Sequence, residues 1–101
     1  MYGTIARLRI KPGMEDQIQA EIERQALRQI PGVVAEYVYR MDRDGRELFL
    51  VVMFASKAAY VANAQDPAQH EEYLRLLTFL DAEPEWNDGE IISSHDLRLA
   101  R

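Results

Sequence analysis

Leu48-Phe49-Leu50-Val51-Val52-Met53-Phe54-Ala55 is a run of eight residues without a charge or a hydrogen-bonding side chain. Its length, its Val and Phe content and the turn signals around it predict a strand rather than a helix. A strand sends alternate side chains to opposite faces, so an unbroken apolar run needs cover on both. Leu48, Leu50, Val52 and Phe54 need one cover, and Phe49, Val51, Met53 and Ala55 need another. What the rest of the chain offers as cover decides the fold.

Upstream, Val33 to Met41 alternates, with Ala35, Tyr37, Tyr39 and Met41 on one side and Val34, Glu36, Val38 and Arg40 on the other. Asp42-Arg43-Asp44-Gly45 is a short polar connection whose glycine tolerates a positive φ, so this segment forms a hairpin with the run from Arg46. Ile30-Pro31-Gly32 ends a helix, because the residue before proline is pushed out of the helical region. That helix spans Met14 to Gln29, with Met14, Ile18, Ile22, Ala26 and Leu27 at helical spacing. Glu15 and Asp16 sit at the positive end of its dipole. Before the Lys11-Pro12-Gly13 turn, Tyr2 to Lys11 alternates as a first strand, Thr4, Ala6, Leu8 and Ile10 against Ile5, Arg7, Arg9 and Lys11.

Downstream, Ser56 caps a short helix through Ala62 or Asn63. Asp66-Pro67-Ala68-Gln69 starts another, with a capping aspartate, proline at the first helical position and glutamine at the third. His70, Tyr73, Leu74, Leu77 and Leu80 then recur three and four apart as one stripe. Asp81 to Gly89, which holds Pro84, is expected to be loop. Ile91 to Leu99 is expected to be the last strand, with Ile91, Ser93, His95, Leu97 and Leu99 on one side.

The expected architecture is therefore α+β and ferredoxin-like, β-α-β-β-α-β. A four-stranded antiparallel sheet has its first and third strands central and two helices on one face. Nothing in the chain remains to cover the other face, which leaves an apolar patch on the order of several hundred Å². A homodimer closing two open sheet faces on each other is expected, with Arg7 and Arg9 as the polar exceptions.

A length of 101 residues fits one domain, 1–101, with one modest core. No apolar run approaches the roughly 18 residues of a membrane span, and the N-terminus lacks the pattern of a secretory signal. Without cysteine there are no disulfides, thiol nucleophiles or thiolate metal sites, and a cytoplasmic location is expected. The net charge of −5 argues against nucleic acid, which needs clustered Lys and Arg. No glycine-rich phosphate loop supports a flavin or nicotinamide cofactor, and no histidine pair suggests a metal. None of these groups is expected.

The remaining candidates are polar residues on predicted inward faces. His70, in the stripe with Tyr73 and Leu77, is expected to point at the sheet, where an imidazole suits general-base work. The alternatives are a histidine at the cleft rim or one bonded to nearby backbone. Tyr37, Tyr39, Tyr60, Tyr73 and Trp86 are candidate walls for a flat ligand, with core or rim packing the competing reading for most. Trp86 is placed on a loop that either lids the cleft or anchors into the core or interface. Ser93 and His95 share a strand face but lack the carboxylate of a hydrolase triad.

Ile5-Ala-Arg-Leu-Arg-Ile-Lys-Pro-Gly13, Pro31-Gly-Val-Val34, Arg46–Ala55 followed by Ser56-Lys-Ala-Ala-Tyr60, and Asp66-Pro67 carry a resemblance in their order and spacing. Over nearly all its length the chain resembles the antibiotic biosynthesis monooxygenase superfamily of dimeric α+β barrels. The resemblance implies a homodimer with a small-molecule cleft between sheet and helices in each subunit. Members include cofactor-independent oxygenases of polycyclic phenols or quinols, haem-degrading enzymes, isomerases and proteins of no known activity. It implies here a cofactor-independent monooxygenase for a small aromatic phenol or quinol, with His70 as base and Asn63 and Tyr73 holding oxygen substituents. Asn63 falls where many relatives carry histidine; an amide hydrogen-bonds but does not carry protons as imidazole does. The haem-degrading branch's Asn, Trp and His fall on Ala6, Ala62 and Glu72, so haem degradation is not expected. A non-enzymatic small-molecule binding or sensing dimer of the same fold is the second expectation, and a pure dimerisation module the third.

Overall fold

Strands β1 (Tyr2–Arg9) and β3 (Glu47–Phe54) pair antiparallel through the middle of the sheet, with Leu8 opposite Leu48 and Ala6 opposite Leu50. The computed structural model describes residues 1–99. Strand β2 (Val33–Arg40) flanks β3, and β4 (Glu85–Glu90) flanks β1, giving the order β2-β3-β1-β4. Helices α1 (Glu15–Ala26), α2 (Lys57–Ala64) and α3 (Pro67–Leu77) complete a ferredoxin-like α+β fold. The apolar third strand is central, as its composition requires.

Register settles which parity goes where. Ala6, Leu8 and Leu48 meet Ile18 of α1 and Leu76 of α3 in the buried core, which Ile10 and Leu80 extend. Ser56 accepts from the Ala59 amide at 3.1 Å to start α2, and Asp66 accepts from the Ala68 amide at 2.9 Å to start α3. Both caps stand where the sequence puts them. Helix α1 is shorter than expected, ending at Ala26, and Gln29 takes a left-handed φ of 53° before the Pro31-Gly32 turn. At Gly32, φ is +85° and an added Cβ would stand 2.6 Å from the Ala59 Cβ. Glycine there lets α2 pack directly on the turn.

Two expectations fail, for one physical reason. Ile91 to Leu99 is not the last strand: residues 91–96 form no regular structure, Leu97–Leu99 is a short 3₁₀ turn, and Ile92 and Leu97 are exposed. The last strand is instead β4, within the segment expected to be loop, paired from Tyr2 opposite Glu90 to Arg7 opposite Glu85. Every residue of β4 is exposed within the single chain, so it is held by backbone pairing and needs no apolar alternation. The inward line of α3 is also shifted. Leu76 is buried while Leu74 is exposed, because the wide apolar arc of this helix leaves its rotation to be fixed by what it packs on.

Between α1 and α3 lies Glu21, whose side chain is only 2% exposed. It accepts from Arg24 at 2.7 Å, Arg75 at 2.7 Å and Gln25 at 3.0 Å. The Arg24 hydrogen bond is the largest influence; with Arg75 and Gln25 it overcomes burial and holds the carboxyl down at about 2. A carboxyl lowered on folding adds stability above its unfolded pKa and loses it as pH falls through the folded value. Partly solvated arginines weaken the effect, so Glu21 is expected to contribute about 2 kcal/mol at neutral pH, lost between about pH 5 and pH 2. Urea unfolding at stepped pH checks it: wild type loses more stability over this window than Glu21→Gln, and parallel curves contradict the assignment.

The other sheet face has no helix over it. Its rows run Ile5–Val51–Tyr37 and Arg7–Phe49–Tyr39 across three strands. Ile5, Tyr37 and Tyr39 are exposed, and Phe49, Val51 and Met53 half-buried. Arg7 and Arg9 do not break this surface with free charge. Arg7 donates to Glu47 at 2.6 Å, Arg43 donates to the same carboxylate at 2.7 Å, and Arg9 pairs with Asp44. The face is apolar in the middle and charge-compensated at one end.

Candidate functional site

The chain leaves a cavity of about 700 Å³ between the sheet and the helices. Its floor is the helix-facing side of the sheet: Leu50, Val52 and Phe54 of β3, Thr4 and Leu8 of β1, Trp86 and Asp88 of β4, and Val33 and Glu36 of β2. Helix α1 contributes Ile22, Gln25 and Ala26, and the connection after it Gln29 and Ile30. Tyr60, Asn63 and Ala64 come from α2, and Gln69, His70, Tyr73 and Leu76 from α3. The opening strand thus floors the cavity with one parity and faces outward with the other.

Three rings form one wall. His70 and Tyr73 lie one helical turn apart with centroids 6.4 Å from each other, and Tyr73 lies 6.2 Å from Trp86 across on β4. His70 is exposed at the rim and lines the cavity from there. Asn63 is half-buried near the end of α2, where its carbonyl accepts from the Asp66 amide at 3.1 Å and fixes the turn into α3. Its side chain faces the same space.

Tyr60 is held on two sides by Tyr2 and Phe54, each with its ring centroid 5.3 Å away. Its hydroxyl donates to Asp88 Oδ1 at 2.7 Å. Burial first, and then the Asp88 carboxylate, push that hydroxyl up to about 12, while the nearby Thr4 hydroxyl acts weakly the other way. Tyr60 therefore stays protonated at neutral pH. Thr4 Oγ1 itself is buried and has no hydrogen-bond partner among the described residues. Across the cavity, loss of solvent raises the Glu36 carboxyl above its ordinary value.

The structure brings together five of the seven sequence candidates: His70, Asn63, Tyr73, Tyr60 and Trp86 all line the cavity. Trp86 does so from a strand opposite Ala6, not from a lid loop. Tyr37 and Tyr39 are not pocket residues. They pair with Val51 and Phe49 and so share the open face. Ser93 Oγ and His95 Nε2 are 2.8 Å apart in the exposed segment after β4, away from any strand. Thr4, Glu36 and Asp88 were missed. Thr4 was visible as a polar residue on the parity of Ala6 and Leu8; Glu36 was not, because alternation alone leaves open which face of β2 meets the helices, and Asp88 was hidden because its strand was.

Among the described residues no group of three or more His, Cys, Asp or Glu side chains is placed to hold a metal ion. No helix there is long and apolar enough to cross a membrane.

The family model for antibiotic biosynthesis monooxygenase matches residues 1–78. A crystal structure of a proposed antibiotic biosynthesis monooxygenase from Chloroflexus aurantiacus J-10-fl superposes with a TM-score of 0.79 at 20% identity, covering 94% of this chain and 96% of that one. SnoaB, a cofactor-independent oxygenase from Streptomyces nogalater, superposes at 0.80 with 13% identity, over 92% of this chain and 94% of its own. A conserved protein from Methanosarcina mazei Go1 gives 0.75 at 16% identity, over 87% and 89%. At such identities these likenesses speak to the fold. No curated protein matches the chain.

Proposed function

Since this chain belongs to the antibiotic biosynthesis monooxygenase family, we propose that it is a cofactor-independent monooxygenase for a small aromatic phenol or quinol. The observation that carries the proposal is the cavity of about 700 Å³, apolar in its body and edged by His70, Asn63, Tyr60, Tyr73 and Asp88. Its size suits a ligand of a few fused rings, and its polar groups converge rather than scatter. The protein acts as a homodimer joined through the open sheet face, which leaves each cavity on the far side of its own sheet.

An electron-rich phenol or quinol supplies the electrons itself. His70 takes a proton from the substrate, and Asn63 and Tyr73 hydrogen-bond the oxygen substituents on which the anion's charge resides, while Tyr60 keeps its proton directed at Asp88. The anion gives an electron to O₂, and the radical pair closes to a peroxide at a ring carbon that carries a hydrogen. His70 returns its proton to the peroxide, which loses water and leaves a carbonyl. One oxygen atom stays in the product and the other leaves as water. Apolar walls keep bulk water from protonating the anion first.

Oxygen uptake with a panel of quinols and anthrone-like phenols, without added cofactor, tests the proposal. Protein-dependent uptake matched by quinone formation is expected. A second reading, a non-enzymatic binding or sensing dimer, is favoured by the exposed position of His70 beside a ring rather than a carboxylate. It predicts saturable thermal stabilisation by a ligand with no product formed.

A further inference from the structure

One row of residues crosses the whole cavity floor. Glu36 pairs with Val52, Val52 with Thr4, and Thr4 with Asp88, so these four stand side by side on the helix-facing side of β2, β3, β1 and β4. Three strand spacings separate the outer pair by about 14 Å at the backbone. Each end of the row is a carboxylate on an edge strand. Between them the floor is apolar, apart from the Thr4 hydroxyl.

Charge on the cavity wall is one-sided. Among the described residues that line it there is no Lys or Arg, while Glu36 and Asp88 are both present. Arg28 comes near the rim only through Gln69, to which it donates at 3.3 Å. The two buried acids, Glu21 and Glu47, are paired with arginine. Glu36 has no such partner among the described residues; it stands exposed at the cavity rim, where partial loss of solvent raises its carboxyl. Thr4, in the middle of the row, lines the cavity, and its buried Oγ1 meets no hydrogen-bond geometry among the described residues, the Tyr60 hydroxyl being its nearby polar group. Buried hydroxyls without a partner are uncommon, and one opening into a cavity is satisfied by what the cavity holds.

We infer that the cavity selects an elongated, flat, apolar molecule with a hydrogen-bond donor at each end and an acceptor in mid-body, and disfavours one that carries an anionic group at either end. The end donors meet Glu36 and Asp88, and the central acceptor takes the Thr4 hydroxyl proton. Carboxylates, sulfonates and phosphates at either end face like charge with no cation nearby to offset it. This deepens the proposed function and rests on its reading of the cavity as the substrate site. It does not depend on the oxygen chemistry.

The experiment uses fully oxidised quinones, which bind but do not react with O₂. Trp86, the chain's single tryptophan, is in the cavity wall, so quenching of its fluorescence reports occupancy directly. The probes are 2,6-diaminoanthraquinone, with a donor at both ends and carbonyls in the middle, 2-aminoanthraquinone, with one donor, and anthraquinone-2,6-disulfonate. The diamine is expected to bind about tenfold tighter than the monoamine, since each end donor bonds a charged acceptor. The disulfonate is expected to bind at least about tenfold more weakly than the diamine. In the Glu36→Gln, Asp88→Asn double variant the diamine and disulfonate converge to within about threefold, because the charge that separates them is gone. If that variant does not fold, Glu36→Gln alone carries the comparison.

A disulfonate that binds wild type as tightly as the diamine overturns the inference. So does the absence of quenching by all three probes, or a folded variant that keeps the wild-type ranking. Lack of oxygen uptake alongside the expected ranking would count against the oxygenase proposal and leave this inference standing.

Discussion

Replacing Val51 with arginine is expected to convert the proposed dimer to a folded monomer. Val51 is the centre of the open face, flanked by Ile5 on β1 and Tyr37 on β2 in the same row. Nothing within the described chain covers that row, and Ile5 and Tyr37 are about half exposed. In a two-fold interface each copy presents the new guanidinium to the other's apolar face, so the substitution acts twice. Burying an unpaired charge costs about 3–5 kcal/mol, enough to weaken association more than a hundredfold. The fold itself is spared, because the side chain leaves the sheet on the side away from the Leu8, Ile18 and Leu48 core. Light scattering on an eluting column reads the outcome: twice the chain mass of 11.7 kDa for wild type, and a single chain mass for Val51→Arg with unchanged circular dichroism. A monomeric wild type, or a variant that stays dimeric, would contradict the assignment of this face.

His70→Ala is expected to lower the rate of quinol oxidation about a hundredfold or more, since a positioned general base contributes at least that much. Among the described residues His70 is the one histidine that lines the cavity, and it faces the same space as Tyr73 and Asn63. Its loss removes a proton acceptor and leaves the apolar walls in place, so kcat falls with little change in KM. Added imidazole is expected to restore part of the rate, which a purely structural role would not allow. A variant as fast as wild type means that the proton leaves by another route, and His70 is then only a rim residue. No core residue depends on it, so instability does not confuse the result.

Much of this was legible from the run at Leu48–Ala55. Its two parities serve two faces: Leu48, Leu50, Val52 and Phe54 face the helices and the cavity, while Phe49, Val51 and Met53 face outward. Alternation in the first strand fixed Ala6 and Leu8 as core because burial needs apolar side chains at every second position. The sequence was silent where structure does not depend on side-chain burial. Strand β4, Glu-Trp-Asn-Asp-Gly-Glu, is held through backbone hydrogen bonds to β1 and carries no apolar pattern, whereas Ile91 to Leu99 carries the pattern and forms no strand.

The site was half legible for the same reason. His70, Asn63, Tyr60 and Tyr73 come from helices whose caps and spacing are readable, although His70 lies exposed at the rim instead of pointing at the sheet. Tyr37 and Tyr39 went to the wrong side because alternation gives two faces without saying which one meets the helices. Strand pairing decides that: Tyr37 opposite Val51 faces outward, and Glu36 opposite Val52 faces the cavity. The irregularity at Val34 sets that phase by letting Val33 pair with Phe54 and Ala35 with Met53. The two arginines on the open face were a difficulty for a sequence reading and are none in three dimensions. Glu47 and Glu85 are brought beside Arg7 by pairing across β3, β1 and β4, and Asp44 is brought beside Arg9 by the connection between β2 and β3.

Oxidation of a reactive quinol under oxygen-18 gas tests most directly whether this cavity carries out a monooxygenase reaction. Protein-dependent product carrying one heavy oxygen atom is expected, with the second recovered in water. Unlabelled product, or oxidation no faster than without protein, would contradict it.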